Sequence, residues 1–304
     1  MKAVVYTKYG PPEVLRLTDV PTPVPQDDEV LVRIHATAVT VSDCYVRSFR
    51  VSPAFWVPMA LFVGFPRPRR PILGMVLAGE VEAVGQAVSL FRPADRVFGQ
   101  TMMRFGTYAE FTCVPQSGAL APMPSQATYQ EAAAIPYGGL LALHFLQAKL
   151  RRGQRVLVYG ASGAVGTAAV QLARHFGAEI TGVCGPTNLD LVRTLGADAV
   201  VDYTRDDFAE RVERYDLIFD AVGKTSKSKC RKALAPDGAF VSVNGKGNIK
   251  PPTRDLVFLN ELVEAGRLKA VIDRCYPLEQ IVEAHRYVEH GHKKGNVIIT
   301  IGRP

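Results

Sequence analysis

The sequence predicts an α/β protein in which a β-rich part is joined to a doubly wound parallel sheet. Three observations support this fold class. The chain has 304 residues, which is enough for two domains. Its first third consists of short alternating runs separated by proline clusters, which is typical of strands. Its middle part alternates apolar strands with helices, which is typical of βαβ units and a parallel sheet.

The composition is that of a globular protein, with 47% hydrophobic and 21% charged residues. The net charge of +7 comes from Lys and Arg spread along the chain, so we expect a basic solvated surface and no nucleic-acid partner. A cofactor that carries phosphate groups would also benefit from this charge. The densest basic stretch contains Arg67, Arg69 and Arg70 between prolines, which predicts a loop.

The five cysteines favour a reducing, cytoplasmic location. Their number is odd and no CxxC pair occurs, which argues against a disulfide framework and a structural zinc site. The first ten residues, MKAVVYTKYG, lack the apolar stretch of a signal peptide.

The most apolar stretch runs from Phe55 to Phe65 and is too short to span a bilayer. We expect it to form a buried lid or a hydrophobic pocket wall, and the alternative is a loop that touches a membrane or a partner.

The elements follow in a clear order. Residues 29–39 alternate with period two, as do residues 106–114, and short strands are predicted at 79–85 and 95–99. An Ala- and Leu-rich helix is expected over 125–150. Five strands are then predicted at 155–160, 179–184, 199–203, 215–223 and 238–245. Helices are predicted between the first three of them, over 161–177 and 188–197. Two amphipathic helices (254–266, 278–291) and a strand (296–301) close the chain.

A glycine-rich turn at residues 156–166, VLVYGASGAVG, joins the first of these strands to a helix. Gly163 would let the backbone approach a pyrophosphate, and Gly166 would let the helix pack on the strand. The free amides of the helix N-terminus would bind the anion. Ala161 occupies the first glycine position of the fingerprint, and a βα turn that binds nothing is the alternative. The predicted phosphate-binding residues are Ser162, Gly163, Ala164, Val165 and Gly166.

The end of the second strand indicates which cofactor binds. An NAD site usually has an acid there, but residues 182–188 contain none and Asp190 lies in the next helix. This favours NADPH, with NADH as the alternative. Thr187, Asn188 and Tyr203 are candidates for the adenosine end, and Arg193 or Arg205 could reach it. Further candidates, at the carboxyl ends of the fourth and fifth strands, are Val222, Gly223, Val243 and Asn244.

Nearly the whole chain resembles a known family. The segments EVLVRIHATAV, ASGAVG, LGADAVVDY, YDLIFDAVG and KGNVIIT, in this order, are similar to the zinc-free quinone oxidoreductase and enone reductase branch of the medium-chain dehydrogenase/reductase superfamily. The resemblance implies a GroES-like β-barrel catalytic domain and a Rossmann domain. It implies the divisions 1–118 (catalytic domain, first part), 119–250 (NADP-binding domain) and 251–304 (a return segment completing the catalytic domain).

The resemblance also bears on metal binding. Alcohol dehydrogenases of this superfamily hold zinc through a Cys and a Gly-His-Glu motif, where this chain has Thr40 and Gly74-Met75-Val76. Threonine and methionine are poor zinc ligands, so no zinc is expected. Without a Lewis acid, reduction of a quinone or of an electron-poor C=C bond is favoured over alcohol oxidation.

The resemblance implies that the cofactor supplies the hydride and the protein orients the reactants. A tyrosine or solvent would supply the proton, and Arg47 could polarise a carbonyl. Asp43 has a structural alternative as the cap of the helix it begins. The catalytic candidates are Thr40, Asp43, Tyr45, Arg47 and Tyr137.

Two departures from the family pattern leave alternatives open. Leu141 stands where relatives commonly have a threonine, and the stretch after Gly245, where relatives carry a strand that often pairs across a dimer, is short. A homodimer is therefore only one possibility. The alternatives to the quinone or enone reductase are a zinc-free alcohol or aldehyde reductase and a non-catalytic NADPH-binding protein. The expected substrate is a small apolar carbonyl compound or quinone, and no membrane span is expected.

Overall fold

The computed structural model describes residues 1–50, 56–208, 213–244 and 253–302. The chain forms two compact units. Unit 1 comprises Met1–Pro136, Pro252–Asn260 and Ile272–Pro304, and unit 2 comprises Tyr137–Pro251 and Glu261–Val271.

The described strands and helices follow the predicted α/β order. The strands are β1 Lys2–Val5, β2 Arg16–Asp19, β3 Glu29–Val39, β4 Val76–Val84, β5 Arg96–Gln100, β6 Phe111–Pro115, β7 Ala119–Pro122, β8 Arg155–Tyr159, β9 Glu179–Cys184, β10 Ala199–Asp202, β11 Tyr215–Asp220, β12 Leu234–Ser242, β13 Ile272–Pro277 and β14 Asn296–Thr300. The α-helices are α1 Val41–Ser48, α2 Trp56–Val63, α3 Tyr129–Ala133, α4 Pro136–Gln147, α5 Ala164–His175, α6 Leu189–Thr194, α7 Lys227–Cys230, α8 Thr253–Glu264 and α9 Ile281–Glu289.

Unit 1 is organised around the long strand β3. Its sheet has the order β13-β14-β3-β4-β5-β7, and β6 also pairs with β3. The first half of β3 pairs with β6, its last four residues pair with β14, and β4 pairs along its other edge. Nine of the eleven residues of β3 are buried, while Arg33 is exposed and His35 is half-buried. The strand runs directly into α1, and thereby places the candidate residues 40–47.

Unit 2 confirms the predicted doubly wound parallel sheet. Its strand order is β10-β9-β8-β11-β12, and all four neighbouring pairs are parallel. The chain moves outward in one direction from β8 and then crosses to β11 on the other side. The carboxyl ends of β8 and β11 therefore flank the topological switch point, where open α/β sheets bind their ligands.

The boundaries between the units differ from those expected. Residues 119–136, assigned by the sequence to the dinucleotide-binding domain, lie in unit 1 because β7 pairs with β5. Residues 261–271, assigned to the catalytic domain, lie in unit 2. The Gln171 side chain holds them there, since its amide donates to the Lys269 carbonyl (3.1 Å) and accepts from the Lys269 amide (2.8 Å).

Two local predictions were wrong. The helix expected over 125–150 is divided into α3 and α4, because Pro136 has no N–H with which to continue a helix but readily begins one. The apolar stretch that we expected to be buried forms the exposed helix α2, and only Val63 of that helix is buried. Phe55 lies outside the described residues. None of the described helices has the length and apolar composition needed to cross a bilayer.

Candidate functional site

The turn after β8 is shaped by Gly160, a residue that the sequence reasoning left out. Gly160 has φ +79°, and its amide and that of Ala161 donate to the Val183 carbonyl (both 2.9 Å). A Cβ atom on Gly160 would lie 2.5 Å from the Val222 side chain across the switch point. Gly160 therefore makes the tight turn that the fingerprint assigns to its first glycine, whereas Ala161 is buried. The glycine directly before Ala161 was the available signal.

Gly163 and Gly166 have different surroundings. A Cβ on Gly166 would meet the Gly160 carbonyl oxygen at 2.1 Å, so this glycine is required for packing of α5 against the turn. A Cβ on Gly163 would have no protein atom nearer than 3.5 Å, so a methyl group would fit there at ordinary van der Waals distance. Gly163 is the N-cap of α5 and offers no side-chain cap. The amides of the first turn, at Ala164, Val165 and Gly166, therefore have no intrahelical partners and no side-chain cap, as an anion site requires.

The end of β9 lies beside this turn. The side-chain amide of Asn188 donates to the Ser162 hydroxyl at 3.4 Å, which links the two segments. Thr187 is exposed. Asp190 is paired with Arg193 at 2.7 Å on the surface of α6, so this arginine is engaged with a carboxylate of its own helix. The strand ends in Cys184 and Gly185, and no acid occupies the position that would hold ribose hydroxyls in an NAD site.

Tyr203 follows β10 and lies against Gly185, whose built Cβ would be 3.5 Å from the tyrosine hydroxyl. Tyr203 is half exposed, at 51%. It also borders a cavity of about 190 Å³ at this edge of the sheet. The cavity is lined by Tyr159, Tyr203, Thr204, Arg205, Asp206, Asp207, Phe208 and Lys229.

A buried carboxylate organises the loop after β11. Asp220 is fully buried and accepts hydrogen bonds from the amides of residues 222–225 and from the Ser242 hydroxyl. The Asn244 side chain donates to the Gly223 carbonyl at 3.2 Å. The Val243 amide donates to the Asp220 carbonyl at 3.0 Å. The residues predicted at the ends of the fourth and fifth strands thus lie together with Gly160 at one edge of unit 2. They are Val222, Gly223, Val243 and Asn244.

In unit 1, Thr40 and Asp43 form a capping box that begins α1. The Thr40 hydroxyl donates to Asp43 Oδ2 (2.6 Å), the Thr40 amide donates to the same oxygen (2.9 Å), and the Asp43 amide donates back to Thr40 Oγ1 (3.2 Å). The Gly74 amide donates to Asp43 Oδ1. Burial raises the pKa of Asp43 to about 6, and these hydrogen bonds oppose that shift. Both side chains are buried, so the structure gives them a positioning role in α1.

Arg47 is also occupied within unit 1. Its side chain is fully buried, Nη1 donates to the Gly10 carbonyl at 2.7 Å, and Nη2 forms an ion pair with Glu289. A buried pair of this kind is expensive to break by removing one partner. The guanidinium that was expected to polarise a carbonyl therefore ties α1 to α9, and the sequence gave no sign of Glu289 as its partner.

Two residues next to these complete the buried polar group. His285 on α9 is fully buried, with Nδ1 3.5 Å from the Cys44 sulfur. Burial lowers the pKa of His285 to about 3, with Arg47 as a second cause. Burial raises the pKa of Cys44 far above its usual range. A neutral imidazole beside a protonated thiol does not form an activated nucleophile.

The two candidate tyrosines differ in setting. Tyr45 is 54% exposed on α1 in unit 1, so its hydroxyl is the one group among residues 40, 43, 45 and 47 that reaches solvent. Tyr137 lies half-buried in α4 of unit 2, near Leu141 in the same helix.

The positions that hold zinc in related dehydrogenases do not fit a metal. The Thr40 hydroxyl donates to Asp43, and the side chain of Met75 is a buried thioether, which is a poor zinc ligand. The backbone carbonyl of Met75 accepts from the Thr101 amide at 2.7 Å. Within the described parts of the chain, no three His, Cys, Asp or Glu side chains lie close enough together to bind a metal ion.

Comparison with known protein families gives matches over most of the chain. Residues 26–125 match the alcohol dehydrogenase GroES-like domain, and residues 164–268 match a family described as zinc-binding dehydrogenase. Residues 247–299 match a second family of the latter description.

Individual relatives match nearly end to end. The chain is 30% identical to quinone oxidoreductase of Homo sapiens over 96% of this chain and 94% of that protein. It is 32% identical to 2-methylene-furan-3-one reductase of Solanum lycopersicum, over 98% and 79% of the two chains. Among solved structures, quinone oxidoreductase from Coxiella burnetii superposes with a TM-score of 0.84 at 25% identity, over 99% of both chains. An NAD-dependent alcohol dehydrogenase superposes with a TM-score of 0.83 at 30% identity, over 99% and 100% of the two chains.

Proposed function

Since the chain belongs to the medium-chain dehydrogenase/reductase superfamily, in its quinone oxidoreductase branch, we propose that it uses NADPH to reduce a quinone or an α,β-unsaturated carbonyl compound. The observation that carries this proposal is the uncapped glycine turn at residues 160–166, at the switch point of the unit 2 sheet. The names of the relatives support the substrate class, since they include a quinone oxidoreductase and an NADPH-dependent alkenal/one oxidoreductase from Arabidopsis thaliana, 30% identical.

The residues of unit 2 fit a dinucleotide. The amides of Ala164, Val165 and Gly166 would hold the diphosphate at the positive end of α5. The loop that Asp220 organises, with Val222 and Gly223, would border the cofactor on the other side of the switch point, beside Val243 and Asn244. When bound, the nicotinamide cofactor supplies a hydride to a carbon of the substrate.

We assign NADPH rather than NADH from the charges at the end of β9. No acid stands there to repel a 2′-phosphate, and Thr187 and Asn188 follow with polar side chains. Tyr203 lies against Gly185 at this strand end and also lines the neighbouring cavity. The cationic side chains of Arg205 and Lys229 line the same cavity. Two carboxylates, of Asp206 and Asp207, line it as well. NADPH would therefore bind there with its 2′-phosphate facing Arg205 and Lys229 and not the two carboxylates.

The proposed reaction proceeds without zinc, because Thr40 and Met75 make a poor donor set. A quinone or enone suits such a site, since the negative charge that follows hydride addition is delocalised onto oxygen and needs less electrostatic help than an alkoxide. We assign proton donation to Tyr45, since its side chain is exposed while Thr40, Asp43 and Arg47 are buried and hydrogen-bonded. Thr40, Asp43 and Arg47 then act as positioning residues for α1. Tyr137 is the second candidate donor.

A reducing compartment such as the cytoplasm is consistent with the five cysteines, all of which are free thiols. The homodimer stays a prediction, because the short stretch after Gly245 lies outside the described residues.

The test is oxidation of NADPH and of NADH, followed by absorbance, with quinones, enones and aldehydes offered in turn. Turnover of quinones or enones with a preference for NADPH is the expected result. Turnover of aldehydes alone would favour the alcohol or aldehyde reductase. Nucleotide binding without turnover would favour a non-catalytic binding protein, and failure to bind either nucleotide would refute the proposal.

A further inference from the structure

The helix α2 is apolar on every side and yet is not buried. Its sequence, WVPMALFV, contains no charged or hydrogen-bonding side chain apart from the indole N–H of Trp56. A helix that is hydrophobic all round normally lies inside a protein or in a membrane. In α2, however, only Val63 is buried. Met59 and Ala60 are half-buried and the Trp56 ring contacts Phe49 and Phe65, but Val57, Leu61 and Phe62 stay largely exposed.

The exposed side chains of α2 and the residue that follows it form one apolar patch. The exposed fractions are 40% for Trp56, 61% for Val57, 66% for Leu61, 53% for Phe62 and 52% for Phe65. A single exposed apolar side chain is common, but a contiguous group of large ones marks a surface that contacts another molecule.

This apolar patch rests on a fixed support within unit 1. The Tyr9 hydroxyl lies 2.5 Å from the Gly64 carbonyl oxygen, to which it donates at the end of α2. The rings of Tyr9, Phe49, Trp56 and Phe65 contact one another, with centroids 4.8 to 6.4 Å apart. The helix is therefore anchored at both ends while its outer side chains point away from the unit.

The sequence that contains the apolar patch is basic. From Cys44 to Gly79 the sequence contains no Asp or Glu, and it contains five arginines. Arg50, Arg67, Arg69 and Arg70 are exposed, whereas Arg47 is buried. A Cβ on Gly64 would lie 2.7 Å from Arg69 Cγ, so the Arg69 stem lies against the end of α2.

The guanidinium groups near α2 keep their charge available. Arg70 donates to the Arg104 carbonyl at 2.6 Å, which is a neutral acceptor. Within the residues that the structure describes, Arg67 and Arg69 form no ion pair. The surface thus combines projecting apolar side chains with positive charge that is not compensated locally.

We propose that α2 and the exposed arginines around it form a docking surface for an anionic lipid bilayer. The helix would lie in the interfacial plane, with Trp56, Leu61 and Phe62 in the acyl boundary and the arginines at the level of the headgroup phosphates. A second copy of the chain would bring like charges together, and an acidic peptide would pair with the arginines but leave the apolar side chains of α2 uncovered. An anionic bilayer satisfies both the apolar and the charged part of the surface.

The chain carries its own probe for this proposal, because Trp56 is its single tryptophan. The full-length protein is mixed with vesicles of equal parts phosphatidylcholine and phosphatidylglycerol, and with vesicles of phosphatidylcholine alone. We expect co-sedimentation with the anionic vesicles, a blue shift of Trp56 emission, and quenching by lipids brominated on their acyl chains. Added salt should weaken the binding without abolishing the difference between variants.

Two residues of equal exposure provide the matched control. Leu61 on α2 and Leu90 in the turn between β4 and β5 are both 66% exposed, so neither substitution should affect folding. L61D should weaken partitioning into anionic vesicles about tenfold or more, since it removes one buried apolar side chain, and L90D should leave it unchanged. Replacing Arg67 and Arg69 together by glutamine should weaken binding roughly 25-fold, or about fivefold per charge.

Five results would overturn the proposal, and the first four concern the vesicle experiments and their lipid-free control. They are no binding to anionic vesicles, binding that L61D and L90D weaken equally, binding without a change in Trp56 emission, and a blue shift that depends on protein concentration without lipid. The last would show that a second copy covers α2. An equal shift with soluble polyglutamate would assign the surface to an acidic peptide instead.

Discussion

Replacement of Gly163 by alanine separates nucleotide binding from folding at the phosphate turn. In the structure, Gly163 has φ −78° and ψ 175°, which alanine adopts freely. The added methyl group would lie 3.5 Å from the Gly160 carbonyl oxygen and 3.9 Å from Val222, which are ordinary van der Waals distances. The free energy of unfolding should therefore change by no more than about 0.5 kcal/mol.

The same methyl group would stand at the N-cap of α5, beside the amides of its first turn. A diphosphate held there would lose one or more charge-assisted hydrogen bonds, each worth about 1.5–3 kcal/mol. NADPH should consequently bind at least about tenfold more weakly to G163A. Titration of Tyr or Trp56 fluorescence or calorimetry gives Kd, and urea unfolding without nucleotide gives the stability of the same variant.

Gly166 supplies the matched comparison. Its Cβ would lie 2.1 Å from the Gly160 carbonyl oxygen, so G166A must displace α5 and should lower the free energy of unfolding by about 1–3 kcal/mol. Equal NADPH affinity for G163A and the parent protein would refute the assignment of this turn to the diphosphate. A large decrease in the free energy of unfolding of G163A would refute the conclusion that a methyl group fits at this position.

Three further outcomes are expected. K229A should raise the KM for NADPH about tenfold with little effect on NADH, while K227A, on the same helix but outside the cavity, should leave both unchanged; equal effects on both cofactors would contradict the 2′-phosphate assignment. Y45F should lower kcat about tenfold or more with KM nearly unchanged if Tyr45 donates the proton, and an unchanged kcat would transfer that role to Tyr137 or to solvent. Since burial lowers the pKa of His285 from 6.5 to about 3, the unfolded chain binds a proton below pH 6.5 that the folded chain refuses. The contribution of His285 to stability should therefore fall by about 1.4 kcal/mol per pH unit as the pH decreases through this window. H285N should reduce this slope in urea unfolding measured at several pH values, and equal slopes would show that His285 titrates normally in the folded protein.

Features that depend on residues close together in the chain could be predicted from the sequence, whereas contacts between distant residues could not. The phosphate turn was readable because the demands on Gly163 and Gly166 are local and depend on the absence of a side chain. Gly160 was missed because its left-handed φ and its contact with Val222 depend on a strand some sixty residues later in the chain. A short apolar run shows where apolar residues cluster but not what covers them, and so the burial expected for the stretch from Phe55 to Phe65 was wrong.

The role expected for Arg47 shows the same limit. A positive side chain next to a predicted helix start was open to catalytic or structural use. Its ion pair with Glu289 joins residues 242 positions apart, which no local pattern reveals. The capping box of Thr40 and Asp43, by contrast, joins residues three positions apart, and the structural alternative for Asp43 was therefore visible in the sequence.

The pairing of β3 with β14 has a consequence for synthesis on the ribosome. The last four residues of β3 receive their partner only when residues 297–300 have been made, after the whole of unit 2. The parallel sheet of unit 2 is complete earlier in translation, whereas the nascent unit 1 must wait with an unpaired strand edge. Such an edge is prone to pair with other chains. The fraction of the product that escapes aggregation should therefore depend on shielding of this edge by a chaperone and on how fast the last residues are translated.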